Sequence, residues 1–138
     1  MLKKLNVPIY GTRMTLGLLR EKLKSHNLYD NARLREVFPG DQVKVGSFAV
    51  DFIRVNHSIA DACAVAVHTP LGPLVYASDF KFDQTPINGK MADLHKFAEL
   101  CQEGVLALFS DSTNVEREGI TNSEKEVGQT LENAFKQA

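Results

Sequence analysis

Phe48-Ala49-Val50-Asp51-Phe52-Ile53-Arg54-Val55-Asn56-His57 is the stretch on which the fold turns. Phe48, Val50 and Phe52 alternate along one side of an extended chain, and Ile53 and Val55 then put apolar groups on the other. A strand apolar on both faces belongs inside a layered α/β structure rather than at an edge. Upstream, Pro39-Gly40-Asp41 and Gly46-Ser47 punctuate two further extended runs, residues 33–37 and 42–45. Thr12 is the predicted N-cap of a helix over residues 13–26, with Leu16, Leu19 and Leu23 on one face and Asn27 as its stop. Residues 7–11 read as a short strand. Leu2, Leu5 and Asn6 resemble the last turn of a helix, and one turn alone is marginal, so structure is expected upstream.

Downstream, residues 62–69 and 74–77 flank Pro70-Leu71-Gly72-Pro73 and predict a β-hairpin. A polar loop follows Asp79 to about Lys90. A helix is then expected with Met91, Leu94, Phe97, Ala98 and Cys101 on its apolar face and Gly104 as its end. Residues 105–109 read as a short buried strand. Thr121-Asn122-Ser123-Glu124 predicts a capping box for a helix carrying Val127, Leu131 and Ala134. Hairpins, a strand–helix–strand passage and a terminal helix predict sheets flanked by helices, an α/β (α+β) sandwich.

The 138 residues suit one domain, and a chain of that length buries roughly 65–70% of its unfolded surface. A net charge of −1 gives no global pull toward nucleic acid, so any such contact must depend on local basic groups. Arg13, Arg20, Lys22 and Lys24 read as a solvated helix face. Cys63 and Cys101 lie in apolar segments with no C-x-x-C spacing and predict buried, reduced thiols of an intracellular protein. The apolar runs are too short to span a bilayer, and the start lacks a signal-peptide pattern. The expectation is a cytoplasmic chain with no membrane partner.

His57 and Asp79 carry the chemistry. Each follows an apolar, strand-like run, so both could project into one cleft, where an imidazole and a carboxylate suit a hard or borderline divalent cation. The bland alternative is a surface histidine and a loop-capping carboxylate. Ser58 and Asp61 either support His57 by hydrogen bonding or cap the following segment. No H-x-H-x-D-H or H-E-x-x-H cluster completes a site. Zinc takes about four protein ligands in structural sites and about three in catalytic ones, and this pair supplies two. His68 is expected to face solvent, His26 to end a helix, and His95 to lie off its helix's apolar stripe. The glycines form no phosphate-binding loop.

Four segments together carry a family resemblance: Asn6-Val7-Pro8-Ile9-Tyr10-Gly11-Thr12, Val55-Asn56-His57-Ser58-Ile59-Ala60-Asp61, Ser78-Asp79-Phe80-Lys81-Phe82-Asp83 and Phe109-Ser110-Asp111-Ser112-Thr113-Asn114. In this order they resemble ribonuclease J, of the metallo-β-lactamase fold group with a β-CASP insertion. The resemblance implies a partial metallo-β-lactamase-like αββα core with a mixed sheet over residues 1–120, and the start of the β-CASP insertion over 121–138. In that family an H-x-H-x-D-H motif supplies most ligands of a zinc or manganese pair. His57 matches the next metal-binding histidine, Asp79 the carboxylate bridging the ions, and a last histidine follows the insertion. Two ions about 3.5–4 Å apart can activate a bridging hydroxide against a phosphodiester, and the family cuts RNA this way.

The H-x-H-x-D-H motif would lie before Met1, and the β-CASP domain beyond Ala138. Ala60 stands where the family often has proline, and Ser78 where glycine is common. Ser112 matches a position lining the RNA channel, or else belongs to a hydrogen-bonded turn. The resemblance therefore implies a fragment of a metal-dependent RNA hydrolase, with RNA as partner of the intact family and little activity alone. The alternatives are a non-catalytic, self-associating interaction module and a minimal hydrolase built across a dimer interface.

Overall fold

The structure is a computed structural model that describes residues 7–137. The helical turn expected around Leu2 and Leu5 lies outside the described residues. Seven strands are β1 (Pro8–Gly11), β2 (Arg33–Glu36), β3 (Gln42–Val45), β4 (Phe48–Arg54), β5 (Cys63–Thr69), β6 (Gly72–Tyr76) and β7 (Ala107–Phe109). The helices are α1 (Arg13–Ser25), α2 (Leu94–Glu103) and α3 (Glu124–Gln137). Strands β1 and β2 form a parallel pair, and β3 to β7 form a mixed sheet in sequence order. Parallel neighbours need a long crossover. Helix α1 is that crossover between β1 and β2, and α2 is the one between β6 and β7. No helix among the described residues is long and apolar enough to cross a membrane.

Strand β4 sits between β3 and β5, as its two apolar faces demand. One face holds Ile53 beside Ala64, Ala66 and Val75, covered by Leu100 and Phe97 of α2. The other holds Val50 and Phe52 against Val37 and Tyr10 from the β1–β2 side. Helix α1 lies on β2. The layers thus run helix, sheet, sheet, helix, the sandwich expected from the sequence.

Helix α1 begins at Thr12, whose hydroxyl donates to Thr15 Oγ1 at 3.1 Å and caps no backbone group. The open Met14 N–H is instead taken by Asp61 Oδ2 at 3.0 Å. At the other end Leu28 N–H donates to Leu23 O at 2.9 Å and Asn27 N–H to Lys24 O at 3.0 Å. These two bonds are a Schellman closure, with Asn27 at φ 54° as the left-handed residue. Leu16 and Leu23 are buried.

Several expectations need correction. The buried side of α2 is Phe97 and Leu100, whereas Met91, Leu94, Ala98 and Cys101 are exposed. The helix starts at Asp93, whose carboxylate accepts Lys96 N–H at 3.0 Å and whose own N–H donates to Arg54 O at 3.0 Å. Those anchors fix its rotation, and hydrophobic spacing alone did not. Cys101 is consequently no core thiol. Cys63 is half-buried, and burial pushes its thiol up to about 11. Residues 105–109 do not form a buried strand. β7 is an edge strand with Leu108 and Phe109 exposed, because β6 flanks it on one side and no described strand flanks the other.

His68 does not face solvent. Its Nε2 lies 2.8 Å from Asp51 Oδ2 and its Nδ1 3.4 Å from Glu103 Oε2. Asp51 projects under α2 on the Ile53 face of β4, because residues 51 and 53 share a face. Gln42 donates to its Oδ1 at 2.6 Å, and Lys96 Nζ lies 3.2 Å from its Oδ2. Burial pushes the Asp51 carboxyl upward, but hydrogen bonds from His68, Gln42 and Lys96 outweigh it and hold the group below the usual carboxylate range. This cluster ties β3, β4, β5 and α2 together.

The loop after β6 carries a strained residue. Ser78 adopts φ 60°, a left-handed conformation that costs a non-glycine residue roughly 1–2 kcal/mol. Ser78→Gly is expected to stabilise the chain by about 1 kcal/mol and raise Tm by about 3–5 °C in a thermal melt. An unchanged or lower Tm would mean that the serine side chain offsets the strain.

Asp51 also sets a pH dependence. A depressed carboxyl stabilises the fold above its unfolded value near 3.8 and loses that contribution as pH falls through the lower folded value. Acid denaturation followed by circular dichroism should therefore steepen below about pH 4. Asp51→Asn should flatten that part of the profile while lowering stability at neutral pH.

Candidate functional site

Strand β4 ends at Arg54, and two residues later Asn56 starts the loop that carries His57. Strand β6 ends at Tyr76, and Ser78 turns the chain so that Asp79 follows. An isolated β-bridge joins these loops, because Lys81 N–H donates to Asn56 O at 2.8 Å. The Asn56 side chain fixes a third segment, donating to Lys90 O at 2.9 Å and accepting Ala92 N–H at 3.0 Å. The loops before α2 and after β4 and β6 are thus bound into one rim. His57 Nε2 consequently lies 3.6 Å from Asp79 Oδ2. Their side chains are 37% and 70% exposed, so both atoms face open solvent at the sheet's end.

Helix α3 closes one side of the cleft beside His57. Lys81 Nζ donates to Glu124 Oε1 at 2.7 Å and to Asn122 O at 3.2 Å, and lies 3.7 Å from Asp83 Oδ2. The buried Asp83 carboxylate accepts Glu124 N–H at 3.1 Å and Thr85 N–H at 3.0 Å. Burial pushes Asp83 upward, yet these backbone donors, Ser123 and Lys81 hold it below its ordinary range. The expected capping box is therefore displaced: Ser123 caps the helix, and Glu124 turns away from Thr121 toward Lys81. The cleft holds about 270 Å³ and is lined by His57, Ser58, Lys81, Asp83, Asn88 and Glu124 among others.

The other candidates fall elsewhere. Asp61 makes no hydrogen bond to His57. It caps α1, 47 residues upstream, and its second oxygen is buried without a hydrogen-bond partner among the described residues. Ser58 is exposed in the His57 loop. Ser112 is exposed in the turn after β7, where its carbonyl accepts Val115 N–H at 3.1 Å. Beside it is Asp111, which was not singled out from the sequence. The Thr113 hydroxyl and amide hold its carboxyl low, with a smaller contribution from nearby His57. Asn56 and Lys81 were also missed, since their role is to bridge segments distant in sequence. The one available signal was their place beside the two singled-out residues.

His57 and Asp79 can share one cation as two donors. They do not fit a metal pair by themselves, and among the described residues no group of three or more His, Cys, Asp or Glu side chains gathers to hold an ion.

No family model matches the chain. It is 48% identical over 139 residues to ribonuclease J of Synechocystis sp., covering 99% of this chain and 22% of that protein. Ribonuclease J of Thermus thermophilus is 46% identical over 138 residues, and ribonuclease J2 of Bacillus subtilis is 45% identical over 135 residues; the chain covers 24% of each. A crystal structure of a protein of unknown function from Enterococcus faecalis superposes with a TM-score of 0.63 at 18% identity, over 91% of this chain and 32% of that one, a likeness of fold alone. By sequence the chain is a homologue of ribonuclease J, spanning under a quarter of the length of these curated relatives.

Proposed function

We propose that the chain is one part of a metallo-β-lactamase-like, metal-dependent RNA hydrolase. It contributes His57 and Asp79 to a zinc or manganese site and is inactive by itself. The observation that carries this reading is the 3.6 Å approach of His57 Nε2 to Asp79 Oδ2, from two strand ends, in a chain homologous to ribonuclease J. The metal, when bound, would supply Lewis acidity toward a phosphodiester. This chain's own groups do less. His57 and Asp79 present two donors, Asn56 and Lys81 hold the donor loops in register, and Ser58 lines the cleft in the His57 loop, while the exposed Ser112 in the turn after β7 is assigned to RNA contact in this reading. Residues 121–138 form a separate unit in this reading, because α3 has no buried residue and touches the sandwich at its first turn. A cytoplasmic location belongs to the same proposal.

Titration calorimetry with Zn²⁺ or Mn²⁺ tests the site. The chain should bind an ion weakly, and His57→Ala or Asp79→Asn should abolish the binding. With 5′-monophosphorylated RNA and Mn²⁺ the chain alone should give no chelator-sensitive cleavage. Two tightly held ions, or robust cleavage, would overturn the reading.

A second reading, a self-associating interaction module, is favoured by the unpaired edge of β7. Leu106, Leu108 and Phe109 are all more than half exposed there, as are Leu131 and Phe135 of α3. Exposed edges of this kind pair with other chains. Light scattering behind size-exclusion chromatography should find a dimer at micromolar concentration, which Leu108→Lys would dissociate. A clean monomer would sink this reading.

A further inference from the structure

We propose that a groove next to the His57 cleft binds single-stranded nucleic acid, with phosphates on Arg13, Arg54 and Lys90 and a base stacked on Phe38. The inference deepens the hydrolase reading, on which it rests for the choice of RNA, by saying where a strand would lie. The groove encloses about 840 Å³, within the range of ligand-sized clefts. Its three cations come from separate elements: Arg13 opens α1, Arg54 closes β4, and Lys90 precedes α2. Among the described residues the ion pairs of lysine and arginine involve Lys24, Lys81, Lys96 and Lys136, and none of these three takes part. Three cations that line one groove, none in an ion pair, attract a polyanion. The groove also contains Asp61, but one of its oxygens holds the Met14 N–H and the other is buried.

Phe38 supplies what a purely electrostatic patch would lack. Phe38 is 60% exposed although its backbone is tightly held. Phe38 N–H donates to Asp41 Oδ2 at 2.8 Å, Asp41 N–H to Phe38 O at 2.9 Å, and Gly40 N–H to Phe52 O at 2.6 Å. Gly40 permits this turn with φ 100°. An aromatic ring on a rigid turn beside cations is the arrangement that single strands use, stacking bases while lysine and arginine follow the backbone. The groove is also continuous with the candidate site. Ala60 and Asn88 line both it and the His57 cleft, and the Asn88 side chain donates to Ala60 O at 3.3 Å. A strand lying across Phe38 therefore leads toward His57 and Asp79.

Fluorescence anisotropy of a 5′-labelled oligouridylate, with chelator present, tests the groove. Binding should be saturable and fall with salt. Arg54→Met and Lys90→Met should each flatten the plot of log affinity against log salt by about 0.7, the value for one phosphate contact on a single strand. Phe38→Ala should weaken binding about tenfold or more with the slope unchanged. Lys44→Met, on β3 and away from the groove, should change neither, and circular dichroism melts should show every variant folded. Absence of saturable binding, variants with the parent's slope, or equally effective displacement by polyglutamate would overturn the proposal; equal binding of oligodeoxythymidylate would support it as a general single-strand site. Because no metal is present, failure here counts against the groove, whereas failure of the ion titration counts against the His57–Asp79 pair.

Discussion

The bond from Lys81 N–H to Asn56 O is the interaction on which the candidate site depends. His57 and Asp79 are 22 positions apart and lie on loops leaving different strands. Strands β4 and β6 are not neighbours, because β5 runs between them, so the sheet ladder alone does not bring these loops together. The bridge does so just beyond the ladder's end. The two side-chain hydrogen bonds of Asn56 then bind the same point to the segment leading into α2. One residue thereby sets the position of His57 relative to two other segments.

A second set of interactions governs how α2 lies on the sheet. Leu100 and Phe97 supply apolar contact, which is non-directional. Direction comes from the ends. Asp93 joins the helix start to Arg54, and Lys96 and Glu103 meet the buried Asp51–His68 pair. A carboxylate under a helix would be costly without partners, and here His68, Gln42 and Lys96 supply three. Since Arg54 also lies beside the His57 loop, the rotation of α2 and the geometry of the candidate site share one anchor.

Much of the architecture was legible from local pattern. Two-sided apolarity placed β4 inside the sheet, Asn27 marked the end of α1, and Pro70 and Leu71 formed the turn of the β5–β6 hairpin. The errors share one cause. The apolar face of α2, the burial of residues 105–109, the solvent exposure of His68 and the cap of α3 all depend on partners far away in sequence. His68 looked like an outward residue of an alternating strand, yet its face is the one α2 covers. Ser123 displaced Thr121 as a cap because Lys81 and Asp83 draw Glu124 and its amide toward the β6 loop.

The sequence by itself determined the class of fold, the order of its elements and the two residue types able to hold a cation, since these follow from periodicity, turn chemistry and donor chemistry. Its four ordered segments also carried the likeness to ribonuclease J, which the relatives at 45–48% identity bear out. Only the tertiary structure decided that His57 and Asp79 stand 3.6 Å apart, that Asp61 serves α1, and that Asn56 and Lys81 join the loops that carry the pair. The physical reason is range. Propensity and patterning act over a few residues, whereas a bond across 25 positions, such as that from Lys81 to Asn56, exists only once the sheet has formed.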